Sequence, residues 1–246
     1  MSQHPLSIQL YTVREAIAED LDAALARIAG IGFRTVELYG FVDRAAEYAD
    51  LLSKHGLRAS SAHASLLDGD TDAILAAAKT AGVPTLIEPG TRERWDSIEG
   101  VQWLAAMMNA RAEAAVGTGI RVGYHNHWWE LGQIGGRPAL EIFAESLSPE
   151  VVLEVDTYWT QVAGADAIDT LQRLGDRVQF IHVKDGPIEQ EAKTQVAVGS
   201  GSMPVLDILA AAPQAVPVVE LDDTEGDMFA ALEDSFAFLT ANGQRA

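Results

Sequence analysis

Four short runs carry side chains that could hold a metal ion or move a proton. They are Gly123-Tyr124-His125-Asn126-His127-Trp128-Trp129-Glu130, Val151-Val152-Leu153-Glu154-Val155-Asp156, Phe180-Ile181-His182-Val183-Lys184-Asp185 and Val218-Val219-Glu220-Leu221-Asp222. Each is an apolar, strand-like run that ends in imidazole, carboxylate or ammonium groups. Imidazole titrates near neutral pH and ligates metals when neutral, and mixed imidazole and carboxylate sets suit divalent cations without selecting one.

Side-chain alternation along a strand sharpens the reading. Glu154 and Asp156 share one face, as do Val178, Phe180, His182 and Lys184, and again Val218, Glu220 and Asp222. If these faces point inward, the lower layers are largely apolar and the upper layer carries the ligands. Among the six histidines, His63, His125 and His182 end strand-like runs and His127 lies just beyond. His4 and His55 fall in a tail and at a helix end, where solvation explains them. Glu37 and Glu88 also lie near strand ends. Taken singly, any of these groups is as readily an ion pair or a helix cap as a ligand. Four consecutive runs ending in Glu/His, Asp, His and Glu gather like charges, which is costly unless a cation or shared protons neutralise them. A metal is the simpler explanation.

The elements that must position these ends alternate strictly. Strands are expected at 6–11, 34–39, 57–63, 84–88, 120–125, 151–156, 177–183 and 217–221. Helices are expected at 18–30, 43–55, 70–81, 98–117, 139–147, 165–174, 204–212 and 226–240. The helical segments show apolar residues at three- and four-residue spacing, as with Leu21, Leu25 and Ile28. Pro204 suits a first helical position, and Pro217 is expected to begin its strand. Eight βα units without a Pro-, Gly- or Ser-rich linker argue for parallel strands covered on both faces, closed as a single (β/α)₈ TIM barrel over residues 1–246. The alternative, a doubly wound sheet, lacks its Gly-x-Gly-x-x-Gly turn: Thr12-Val13-Arg14-Glu15 follows the first strand. In such barrels the carboxyl ends of the strands form the active face.

At 246 residues, 48% of them hydrophobic, the chain suits one such barrel. The formal charge of −19 opposes broad binding to nucleic acid or anionic lipid. The absence of cysteine removes disulfides, thiolate catalysis and Cys-bound zinc. The N-terminal residues Met1 to Pro5 have no basic or long apolar region, and no apolar run reaches the ~18 residues of a membrane span. A cytoplasmic protein is expected, with a homo-oligomer among the allowed assemblies.

The runs His-Asn-His-Trp-Trp-Glu (125–130), Leu-Glu-Val-Asp-Thr-Tyr-Trp (153–159), His-Val-Lys-Asp (182–185) and Val-Glu-Leu-Asp (219–222) resemble the sugar phosphate isomerase/epimerase family, within the xylose isomerase-like TIM barrels. The opening Ser-Ile-Gln-Leu-Tyr-Thr-Val-Arg (7–14) is similar to its first strand. The resemblance implies one divalent cation (Mn²⁺, Mg²⁺, Co²⁺ or Zn²⁺) held by a Glu, an Asp, a His and a Glu. Asp156, His182 and Glu220 match the last three. For the first, Glu130 is assigned, with His125 or His127 as alternatives, since the strand-5 position itself holds Tyr124 or His125. Proton transfer is assigned to Glu130, Glu220, His125 and Lys184, and substrate contacts to His63, His127, Trp159 and Asp222. Val198-Gly199-Ser200-Gly201, where relatives often carry Val-Gly-Glu-Gly, is read as a plain turn rather than a phosphate site.

The implied activity is isomerisation or epimerisation of a keto-sugar or related polyol, by proton abstraction beside a carbonyl through a metal-stabilised enediolate. Dehydration of a keto-inositol or keto-sugar is the alternative, and a non-catalytic sugar-binding barrel a weaker one. An endonuclease is remote, given the acidic chain. No nucleic-acid or membrane partner is expected.

Overall fold

The computed structural model describes residues 4–246; the reading of the N-terminal segment falls in part on residues 1–3, outside the described residues. Eight strands run Ser7–Gln9 (strand 1), Thr35–Leu38 (strand 2), Arg58–His63 (strand 3), Thr85–Glu88 (strand 4), Arg121–His125 (strand 5), Val151–Asp156 (strand 6), Val178–Val183 (strand 7) and Val216–Val219 (strand 8). All neighbouring pairs are parallel, and strand 8 returns to strand 1 through Ser7 beside Val218, closing the expected barrel.

Two apolar regions follow from strand alternation. Inside the barrel, Ile87, Val152, Phe180 and Val218 form a small buried cluster. Gly123 belongs to this layer because a Cβ there would lie 2.9 Å from Val152 Cγ2. The larger cluster lies between strands and helices, where outward residues such as Val36, Leu153, Val155, Ile181 and Val219 meet Leu25, Leu104, Met108 and Leu171. The polar residues of strands 5 to 8 therefore sit on the inner face, above an apolar floor. Among the described residues no helix is long and apolar enough to cross a membrane.

The structure corrects the element boundaries in several places. The expected helix 18–30 is two, Arg14–Glu19 and Leu21–Ile31, because Asp20 is extended and its side chain caps the second helix at Ala23 N. A helix at Thr157–Val162 precedes Ala167–Leu174, and a short hairpin, Gln133–Ile134 with Arg137–Pro138, turns at Gly135 and Gly136 with φ of 60° and 83°. Pro204 is the N-cap of Val205–Ala211 rather than its first residue. Pro217 is the second residue of strand 8, not the first, and that strand ends at Val219, short of Leu221.

The loop after strand 7 folds around a buried carboxylate. Asp185 Oδ1 accepts from Gly186 N (2.8 Å) and Met203 N (3.0 Å), and Oδ2 accepts from Gly199 N (2.9 Å) and Gly201 N (3.1 Å). The glycine amides that could have faced a phosphate are thus taken up within the chain, in keeping with the plain-turn reading. A Cβ on Gly201 would fall 2.2 Å from Asp185 Oδ1 and 2.3 Å from Gly186 N. Gly201→Ala is therefore expected to lower stability by about 1–3 kcal/mol, the usual cost of overpacking. Urea unfolding checks this, and a midpoint equal to wild type would refute the close packing.

Candidate active site

Register explains how the site residues come level. Between Leu153 and Glu154 the pairing of strands 6 and 7 shifts, Leu153 lying beside Val178 but Glu154 beside Phe180. This bulge skips Gln179 and sets Asp156 beside His182. A second shift, between Val36 and Glu37, sets Glu37 beside Ser61. Bulges of this kind re-aim side chains next to functional sites.

Asp156 is fully buried and does two things at once. Its Oδ1 caps the helix Thr157–Val162 by accepting from Trp159 N at 2.8 Å, which leaves Oδ2 facing inward. His182 Nδ1 lies 2.6 Å from Glu220 Oε2 and 3.8 Å from Asp156 Oδ2. Neither His182 Nδ1 nor Asp156 Oδ2 has an aligned hydrogen bond, although both are buried. Ligand atoms of Asp156, His182 and Glu220 thus converge within 4.8 Å of one another. Two carboxylates and an imidazole that meet this closely make a donor set that fits a divalent cation once the His182 ring gives up its extra proton.

Lys184, which could have been a solvated lysine, is 1% exposed. Its Nζ reaches Asp156 Oδ2 at 2.9 Å, Glu220 Oε2 at 2.8 Å and Asp222 Oδ2 at 2.7 Å. Asp222 is held in turn by Gln195 Nε2 at 2.8 Å. Burial would lower the Lys184 ammonium, but Asp156, Asp222 and Glu220 outweigh it and hold it charged, well above its ordinary value. Burial would raise the Glu220 carboxyl; Lys184 and His182 outweigh that and keep it ionised, well below its usual range. For Asp156 burial wins over Lys184 and the carboxyl is raised.

A ring of imidazoles lies one layer deeper. Glu154, level with His125 on strand 5, is buried beside His63, His125 and His182. Glu37 accepts from Gln9 Nε2 at 2.7 Å and from the Ser61 hydroxyl, and its Oε1 lies 2.9 Å from His182 Nε2. Burial would depress His63, but Glu37 and Glu154 push it up to about 10. His125 is driven well below its ordinary value, first by burial and then by repulsion from His182, so it is neutral. Glu37, Glu154 and Gln9 carry no assigned role in the sequence reading. The alternation on strand 6 that pairs Glu154 with Asp156 was the available signal for one of them.

Glu130 does not join these groups. Its Oε1 accepts from Tyr124 Oη at 3.0 Å and its Oε2 from His127 N at 2.9 Å. The 3₁₀ turn Trp129–Leu131 folds it back behind strand 5, fully buried. Its position does not support the ligand and base roles expected of it; the carboxylate braces the loop. Of the two alternatives, His125 enters the imidazole ring, while His127 stacks on Trp129 with centroids 4.2 Å apart. Trp159 is buried against Trp128 and Tyr158 and takes no part in the cavity wall, so the expected substrate contact is not supported.

A cavity of about 450 Å³ opens above the site, lined by Tyr11, Tyr39 and Phe41 on one side and by His63, His125, His127, Glu220 and Asp222 among others. Its size and mixture of aromatic and polar walls are those of small-molecule sites.

Glu88, ending strand 4, accepts from Leu67 N at 2.9 Å. Burial pushes its carboxyl up to about 7 from an ordinary 4.5, against the backbone amides it accepts from. The folded chain then holds a proton that the unfolded chain has lost between these values. Stability should fall as pH rises through that window, by up to about 3 kcal/mol. In Glu88→Gln this step is absent, so its urea midpoint should drop less between pH 5 and pH 8 than that of wild type. Equal slopes for both proteins would rule out a perturbed Glu88.

No curated protein matches the sequence. Among solved structures, the chain is similar to a sugar phosphate isomerase/epimerase from Parabacteroides distasonis, with 23% identity, TM-score 0.84, and coverage of 99% of this chain and 96% of that one. A probable 3-DHS dehydratase involved in petrobactin synthesis from Bacillus anthracis gives 15% identity, TM-score 0.76 and coverage of 96% and 98%. The 3-keto-D-glucoside 4-epimerase from E. coli gives 17% identity, TM-score 0.74 and coverage of 97% and 100%. At these identities the likeness is one of fold. The sequence profile of the xylose isomerase-like TIM barrel matches residues 25–239, nearly the whole closed barrel described above, and the chain belongs to that family.

Proposed function

We propose that the chain is a cytoplasmic, divalent-cation-dependent isomerase or epimerase of a keto-sugar or related polyol. The observation that carries this reading is the convergence of ligand atoms of Asp156, His182 and Glu220 beneath a cavity of monosaccharide-compatible size. These three residues would hold Mn²⁺, Mg²⁺, Co²⁺ or Zn²⁺. When bound, the ion supplies Lewis-acid polarisation of a carbonyl, worth several kcal/mol towards loss of the adjacent proton.

The chain's own residues supply the rest. Glu220 lines the cavity and is kept ionised by Lys184 and His182, so it is the group placed to take the proton. His125 lines the cavity from strand 5 and is neutral; it replaces Glu130 on the other side as a relay, giving one ring proton to carbon as its second nitrogen accepts another from solvent. His63, His127 and Asp222 offer polar atoms to substrate hydroxyls, and the Tyr11 and Tyr39 rings offer faces for the sugar's apolar side. Lys184 holds Glu220 and Asp222 in their orientation. Return of the proton to the same carbon gives epimerisation, and return to its neighbour gives an aldose–ketose shift.

The test is a panel of keto-sugars and keto-inositols in deuterium oxide with Mn²⁺-loaded protein, followed by NMR. Carbon-bound deuterium in at least one compound, lost on chelation, is the expected result; loss of water from the product would redirect the reading to a dehydratase. A metal-loaded, folded protein that exchanges no proton in any compound would overturn it.

A further inference from the structure

Beneath the Asp156–His182–Glu220 group, four more ligand atoms face one another. Glu154 Oε2 lies 2.7 Å from His63 Nε2, 3.1 Å from His182 Nε2 and 3.2 Å from His125 Nδ1. Ligand atoms of all four residues fall within 4.8 Å of one another. We propose that His63, His125, Glu154 and His182 form a second cation site that takes a transition-metal ion such as Zn²⁺ or Co²⁺, with His182 serving either site through one ring nitrogen and bridging both, when both are filled, as an imidazolate whose ring proton is released to solvent.

The spacing suits such an ion. Nitrogen and oxygen ligands about 2.0–2.1 Å from a tetrahedral ion stand roughly 3.4 Å apart, so the Glu154–imidazole contacts of 2.7, 3.1 and 3.2 Å would open by about 0.2–0.7 Å to admit one. Hydrogen bonding alone leaves the cluster unsatisfied. Three ring nitrogens crowd one carboxylate oxygen, only His63 is aligned to bond to it, and buried His125 Nδ1 and Glu154 Oε1 have no hydrogen-bond partner. An ion at the centre would engage the His125 nitrogen together with the other three donors. Charge is compatible with this: Glu154 and Glu37 bring two negative charges, and a divalent ion balances them once it displaces the protons they hold on the His63 and His182 rings.

The surroundings fit as well. Glu37, held by Gln9 and Ser61, places Oε1 2.9 Å from His182 Nε2 and 3.2 Å from His63 Nε2, the same ring nitrogens that face Glu154, and so adds a carboxylate oxygen beside the four donors. The rings stand side by side, with centroids 4.4 Å apart for His125 and His182 and 5.5 Å for His63 and His182. His63 and His125 line the cavity, which gives an ion a way in. Three imidazoles and a carboxylate favour Zn²⁺ or Co²⁺ over Mg²⁺, whereas the outer group, with two carboxylates, is the harder set. Binding at the inner site does not require the outer group to be filled.

Titration of chelator-treated protein with Co²⁺, read by metal content after desalting and by visible absorption, tests the proposal. Wild type is expected to take up about two ions per chain. Asp156→Asn should keep one, with the absorption of an imidazole-rich site, and His63→Gln should keep one and lose that absorption. His125→Gln is the second inner variant should His63→Gln fail to fold. A single ion that Asp156→Asn retains and His63→Gln loses would support the inner site and refute the outer one. Wild-type uptake of one ion, lost in Asp156→Asn and unchanged in His63→Gln or His125→Gln, overturns the proposal.

Discussion

Glu220→Gln is expected to lower solvent-deuterium exchange by about 10²–10⁴-fold, the range a positioned general base contributes. The variant keeps the shape of the side chain but cannot accept a proton. Glu220 is singled out because it alone of the Asp156, His182 and Glu220 group lines the cavity. Its partners His182 and Lys184 also keep its carboxyl well below the ordinary range, so it is ready to act as a base at neutral pH. Because those neighbours hold it ionised, the rate should not fall in mild acid through protonation of Glu220 itself. Metal content measured beside the rate separates the two roles: retained metal with lost exchange marks a base, and loss of both marks a ligand. Exchange within about threefold of wild type at full metal content, well short of the general-base range, would remove Glu220 from the chemistry.

Lys184→Met is expected to cost about 3–5 kcal/mol of folding stability in metal-free protein at about pH 7.5, the usual penalty for stranding buried charge. The ammonium is the one lysine or arginine among the described residues within salt-bridge reach of Asp156, Glu220 and Asp222, and all but Asp222 are buried. The direction with pH follows from the shifts. Lys184 is raised above 10.5 in the fold, so its contribution is present at all lower pH and is lost only in strong alkali. Glu220 is depressed, so its contribution is present above its ordinary 4.5 and lost as pH falls through the folded value. In the variant that depression is reduced to what His182 supplies, Asp156 and Glu220 protonate more readily, and the deficit against wild type should shrink as pH drops towards about 5. Mn²⁺ should raise the urea midpoint of Lys184→Met more than that of wild type, since it replaces a missing positive charge. A variant within about 1 kcal/mol of wild type at neutral pH would show that the three carboxylates share protons instead.

Much of the site is legible in the order of the amino acids. Asp156, His182 and Glu220 stand out because strand alternation has a period of two and acts locally: once strands 6 to 8 are recognised, their inward faces follow from residue number. The apolar floor of Val152, Phe180 and Val218 is legible for the same reason. The eight-fold alternation of elements leads to the closed barrel, since parallel strands buried on both faces leave few other arrangements.

The remainder is non-local. The bulge at Leu153/Glu154 exists only against strand 7, and it sets Asp156 level with His182; nothing within either strand marks it. Glu130 carries the right chemistry in the right motif, but a 3₁₀ turn and the Tyr124 hydroxyl draw it behind the barrel wall. Lys184 reads as a proton-transfer residue at a strand end, but Asp156, Glu220 and Asp222 from two neighbouring strands surround it and take up its ammonium. Glu37, held by Gln9, reaches His182 only because closure brings strands 1 and 2 round to face strand 7. Local alternation is enough to tell which side chains point inward. Barrel closure and register decide which of them meet, because the meeting partners lie on strands that no local pattern relates.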